Sequence, residues 1–123
     1  MDLIKKYEVR IWSGRDFEAP DQAFRIMIVL YGEGDEIIAY LRFWEGSIFR
    51  DNFTGEGPAG GVEGSPYEFN YPYHCYMPIV DLLRNEKPMY LSYLMGDLPS
   101  GMLSTAKEQV GEGESRKSFL RRR

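Results

Sequence analysis

One cysteine and one histidine in 123 residues exclude more chemistry than any motif in the chain suggests. Cys75 alone cannot close an intrachain disulfide or build an all-cysteine zinc site, and His74 alone removes most metal and acid-base arrangements. No metal and no cofactor is therefore expected. Long apolar runs are missing as well: Ile26 to Tyr31 spans six residues between Arg25 and Gly32, against about 20 for a membrane-crossing helix. Met1 and Asp2 lead into a charged, strand-like segment rather than an apolar leader. The expected location is the cytoplasm, with no membrane partner.

What is present is the composition of a globular protein, 43% hydrophobic and 28% charged, with an aromatic share of 15% to supply bulky core residues. A chain this short makes one domain and buries roughly two-thirds of its unfolded surface. The net charge of −4 hides an asymmetry, because Arg116, Lys117, Arg121, Arg122 and Arg123 crowd the C-terminal end. Residues 1–114 carry ten basic and nineteen acidic side chains, a net of −9. A body so acidic repels phosphate backbones, so no nucleic-acid partner is expected. The organisation read from this is a single α+β domain at 1–114 followed by a basic, disordered tail at 115–123.

Periodicity supplies the elements. Ile4 to Trp12 alternates Tyr7, Val9 and Ile11 against Lys6, Glu8 and Arg10, as a strand with one wet face does. Phe24 to Tyr31 is rich in β-branched and aromatic residues and apolar on both sides, which marks an interior strand. The turn Gly32-Glu33-Gly34-Asp35 leads into a third strand, Glu36 to Glu45. Residues 46–76 are irregular, with glycines and then the aromatic run Tyr67, Phe69, Tyr71, Tyr73 and Tyr76. Such a segment is either a lid packed by its own rings or contains a short strand at Tyr67 to Tyr71, and the lid is preferred. A short helix follows Pro78, with Ile79, Val80, Leu82 and Leu83 as its apolar stripe, and a hairpin closes the chain at Met89 to Met95 and Met102 to Ala106. The expected fold is α+β: a five-stranded antiparallel sheet in the order β-β-β-α-β-β, flat or curled into a partial barrel, with one short helix and a long Gly/aromatic loop.

One nine-residue helix is about 14 Å long and cannot cover five strands. Met27, Val29, Tyr31, Ile38, Tyr40, Trp44, Tyr90 and Leu94 would remain as an apolar patch larger than monomers usually expose. A two-fold dimer through these residues is its simplest cover.

The chemical motifs are sparse. Gly55-Glu56-Gly57-Pro58-Ala59-Gly60 fits GxGxxG, but no helix pattern follows it, Pro58 removes a backbone donor and Glu56 and Glu63 repel phosphate. Asn52-Phe53-Thr54 matches the glycosylation sequon without a secretory signal. His74 beside Cys75 suggests a nucleophile and base, yet neighbouring side chains on extended backbone point apart. His74, Glu68, Asp51 and Asp81 form the one candidate acid-base set. Tyr67, Phe69, Tyr71, Tyr73 and Tyr76 with Arg50 form the candidate ligand-binding set, since tyrosine joins apolar area to one hydrogen-bonding group.

The segments YEVRIWSG, DLLRNEKPMYLSYL and LSTAKEQVGEGE resemble small bacterial proteins of unassigned role, including products of integron gene cassettes. The resemblance extends over residues 4–114 and implies a compact α+β fold, oligomerisation and no transferable catalytic residue. The function expected is a non-enzymatic binding or adaptor protein acting as a homodimer through an apolar sheet face. Two alternatives stand beside it: a small-molecule binder or hydrolase with its site between the 46–76 loop and the sheet, and an acidic inhibitor or immunity protein using the charge of the body.

Overall fold

A computed structural model describes residues 2–13, 24–44, 56–96 and 99–107. The alternating first segment divides into two strands, β1 (Asp2–Ile4) and β2 (Lys6–Ile11), which pair in different sheets. At the crossing, the Lys5 backbone N–H donates to the Tyr31 carbonyl at 2.8 Å. The interior strand is β3 (Phe24–Tyr31), with the residue limits its composition predicts, and β4 (Ile37–Trp44) returns beside it. Next come the two-residue β5 (Gly57–Pro58), then β6 (Tyr67–Pro72) and, after a 3-10 turn at Tyr73–Cys75, the helix α1 (Tyr76–Asn85). Strands β7 (Met89–Leu94) and β8 (Ser100–Thr105) form the closing hairpin.

These strands make two sheets, not one five-stranded antiparallel sheet. The larger has the order β2-β3-β4-β6-β5, with β4 and β6 parallel and its other pairs antiparallel, and the smaller has the order β1-β7-β8. The hairpin does not extend the first sheet, because Leu91, Tyr93 and Leu103 point inward and pack against its core face. The lid is also corrected in its described part: Tyr67 to Pro72 is a strand, aligned beside Ala39 to Trp44. The remainder of that loop, at 46–55, and the tail at 115–123 lie outside the described residues.

Cross-strand register explains the core. On the inner face Val9, Ile28, Leu41 and Phe69 stand in one row, and Tyr7, Leu30, Ala39 and Tyr67 in the next. Ile28, Leu30, Leu41, Phe43, Phe69 and Leu91 are fully buried, with Ile79 and Val80 of α1 joining the same cluster. Truncating one such side chain to alanine costs about 2–5 kcal/mol. Pro78 sits in the first turn of α1, where its missing N–H forfeits no helical bond. The helix ends at Asn85, and Glu86 is already extended.

Candidate functional site

Alternation along β7 and β8 divides their side chains between two surfaces. Met89, Leu91 and Tyr93 go inward, so Tyr90, Ser92 and Leu94 go outward, opposite Ser104, Met102 and Ser100 of β8, while Leu3 of β1 stands opposite Tyr90. This outer face contains no Asp, Glu, Lys or Arg among its strand residues. It is also apolar in the open: Leu3 is 40% exposed, Leu94 46% and Met102 42%. Single exposed apolar residues are ordinary, but a charge-free row of them across three paired strands is an adhesive surface.

The outer face of the larger sheet differs in character. Its rows run Glu8, Val29, Tyr40, Glu68 and Arg10, Met27, Arg42, Asn70, interleaving charge with apolar groups. Val29 is fully buried. Glu8 accepts from the Tyr31 hydroxyl at 2.7 Å and from Arg10 at 3.2 Å, and the Arg10 contact followed by the Tyr31 bond holds its carboxyl below the ordinary value. Arg42 Nε and Trp44 Nε1 both donate to Asn70 Oδ1, at 2.9 and 3.0 Å, and Arg42 lies 3.8 Å from Glu68. Glu56 Oε2 accepts from the Asn70 backbone N–H at 2.6 Å and from Asn70 Nδ2 at 3.0 Å. Burial pushes the Glu56 carboxyl up, over the opposing pull of the Asn70 bonds, the Gly101 N–H and the Arg42 charge. This network ties β4, β6 and the Glu56 segment together and, among the described residues, gathers no nucleophile.

The eight residues expected to form one dimer patch fall on separate surfaces. Met27, Val29, Tyr31, Tyr40 and Trp44 occupy the polar outer face of the large sheet, and Ile38, an extra residue opposite the Leu30/Tyr31 step, packs against the core. Tyr90 and Leu94 lie on the other sheet. The split follows from the second sheet, which stacks its hairpin on the first instead of prolonging it.

The described members of the acid-base set are not brought together. Glu68 projects from the outer face of the large sheet beside Arg42, whereas Asp81 is on the helix that packs against the inner face and pairs with Arg84 at 3.5 Å. His74 is exposed, Cys75 is half-buried, and Asp51 lies outside the described residues. Among the described residues no group of three or more His, Cys, Asp and Glu side chains is placed to hold a metal ion.

The aromatic run serves packing at four of its five positions. Phe69 is fully buried, Tyr67, Tyr71 and Tyr76 pack against the core cluster, and Tyr73 is 41% exposed. Tyr71 stacks on Phe43 at 5.5 Å, Tyr76 meets the same ring edge-on at 5.6 Å, and Tyr67 lies 5.1 Å from Tyr93. Tyr67 to Pro72 is itself a strand of the large sheet, and residues 46–55 of the loop expected over the ligand site, Arg50 among them, lie outside the described residues. Sequence reasoning missed Leu3 and Met102, whose signal is the period-two alternation of β1, β7 and β8. It also missed the pairing of Glu56 with Asn70, for which no sequence signal exists.

No helix among the described residues is long and apolar enough to cross a membrane. No protein-family model matches the chain, and no curated protein or solved structure matches it at a significant level.

Proposed function

We propose that the protein is a non-enzymatic binding protein whose copies pair through the outer face of the β1-β7-β8 sheet. The observation that carries this reading is the charge-free surface of Leu3, Tyr90, Leu94 and Met102. A second copy is the occupant that fits it. Residues 1–114 carry a net charge of −9, so two copies repel unless they meet where neither presents charge. A partner recognised by charge would need complementary groups, and the described strand residues of this face carry none. Uncharged apolar cores are also what homodimer interfaces share.

Two strands of six residues and one of three give a face of at most about 14 by 20 Å. That is smaller than the roughly 800 Å² per partner of a standard interface, so the association is concentration-dependent. Sedimentation or light scattering across micromolar to millimolar protein tests it. The expected result is a rise from the 14.3 kDa monomer toward twice that mass, lost in Met102→Glu and in Leu94→Glu. A monomer throughout that range, or dimers indifferent to both substitutions, would overturn the proposal.

A further inference from the structure

Four strands lie at sheet edges, β2 and β5 in the larger sheet and β1 and β8 in the smaller. An edge presents unpaired N–H and C=O groups to any other strand, and proteins shorten, block or cover their edges for that reason. Three of these edges are managed. β1 has three residues, β5 has two and includes Pro58, and the Gly101 N–H of β8 is taken by the Glu56 carboxylate. By contrast, β2 has six residues, no proline and, among the described residues, no strand on its second side.

β2 also leaves an apolar side chain in the open. Ile11 stands opposite Ile26 on the core side of the sheet, yet Ile11 is 65% exposed where Ile26 is 6%. The Trp12 N–H donates to the Arg25 carbonyl at 2.8 Å, and antiparallel ladders alternate, so Arg10 and Glu8 also turn their backbone groups toward β3. Tyr7, Val9 and Ile11 therefore turn theirs to the open edge.

From this arrangement we infer that β2 joins the β2 of a second copy edge to edge, antiparallel, with Val9 opposite Val9 across a two-fold axis. The backbone groups of Tyr7, Val9 and Ile11 are those that such a pair hydrogen-bonds. On the solvent side, Glu8 of each copy stands opposite Arg10 of the other, and on the core side Tyr7 stands opposite Ile11. Centring the axis on Glu8 or on Arg10 instead sets like charges against each other, and centring it on Tyr7 or Ile11 shortens the overlap. Charges that repel an unmatched strand thus select this register. Within one chain, Arg10 and the Tyr31 hydroxyl both reach Glu8 through Oε1, and among the described residues nothing engages its Oε2, which remains to accept from the second copy. The contact lies on the larger sheet, so it is separate from the outer face of the β1-β7-β8 sheet, and both can form in one assembly. It is short and weak on its own, and is read by trapping rather than by mass.

The test is disulfide trapping in the full chain carrying Cys75→Ser and Met102→Glu, the second change removing the contact between smaller sheets. Chains with Glu8→Cys are mixed with chains with Arg10→Cys under oxidised glutathione. In the inferred register positions 8 and 10 form a non-hydrogen-bonded pair, whose Cα atoms stand about 4.5 Å apart, within reach of a disulfide. The mixed disulfide should form about five-fold or more faster than either symmetric one. Adding Arg10→Glu to the first chain sets two carboxylates opposite each other and should slow trapping about three-fold, and adding Glu8→Arg to the second chain should restore it. The Glu8 and Arg10 side chains are 46% and 42% exposed, and thermal unfolding of each variant will show the fold retained. The same preference is expected without Met102→Glu, so failure of the smaller-sheet contact leaves this result standing. Symmetric disulfides as fast as the mixed one, no disulfide from thiols that react freely with a maleimide, or indifference to the charge exchange would each overturn the inference.

Discussion

Glu56 and Asn70 are joined twice, through the Asn70 backbone N–H at 2.6 Å and its side-chain amide at 3.0 Å, both onto the same carboxylate oxygen. The Gly101 N–H reaches the same carboxylate from β8, so one side chain ties the large sheet to the small one. Removing it in Glu56→Ala leaves half-buried donors unmet and should cost about 1–3 kcal/mol in urea unfolding. The pH dependence has a definite sign. Because burial raises the folded-state pKa above the ordinary 4.5, the folded chain holds that proton more tightly than the unfolded chain. The Glu56 contribution to stability therefore falls as pH rises through and just above 4.5. Glu56→Gln should remove that part of the slope.

Phe69 needs a glycine opposite it. A Cβ on Gly101 would lie 2.5 Å from the Phe69 ring, which is fully buried and has no direction in which to retreat. Gly101→Ala should destabilise the protein by about 1–3 kcal/mol. Adding Phe69→Leu to it should recover part of the loss that the two changes would cause independently, a coupling readable in a double-mutant cycle.

Tyr71 distinguishes packing from recognition. Truncation to alanine removes the stack on Phe43 and should cost about 3 kcal/mol, whereas Tyr73→Ala, at an exposed position, should cost less than about 1 kcal/mol. Burial first, then Glu56 and Cys75, pushes the Tyr71 hydroxyl from 10.0 up to about 12. The folded state thus resists ionisation that the unfolded state accepts, and stability should decline as pH passes 10.0 toward about 12. Tyr71→Phe should be more resistant than the parent by about 1 kcal/mol near pH 11, as alkaline denaturation curves will show.

The sequence made individual strands more legible than their partners. Phe24 to Tyr31 stands out because both of its faces are apolar and its flanks are polar, and the helix is marked by Pro78, an apolar stripe and Pro88. Alternation tells which residues share a face, as for Leu91 and Tyr93. It does not tell which sheet that face meets, so the pattern alone prolongs the first sheet with the hairpin. The parallel pairing of β4 with β6 depends on how the chain returns after Trp44, which no local pattern encodes. The same limit applies to the proposed interface. Leu3 and Tyr90 are far apart in the sequence, and only the crossing from β1 to β2, which leaves β1 in the smaller sheet, brings them to one face.

That crossing also sets a schedule for synthesis. Asp2 pairs with Leu91 and Ile4 with Met89, so β1 leaves the ribosome well before β7, the strand it pairs with. Loop closure over that distance is entropically costly and slow. Until it happens, the inward faces of Leu91 and Leu103 lack their final enclosure, and the nascent chain depends on β2, β3 and β4 to hold the early core together. A bulky fusion placed immediately before Asp2 would burden this late step, while leaving the antiparallel trio that precedes it free to form.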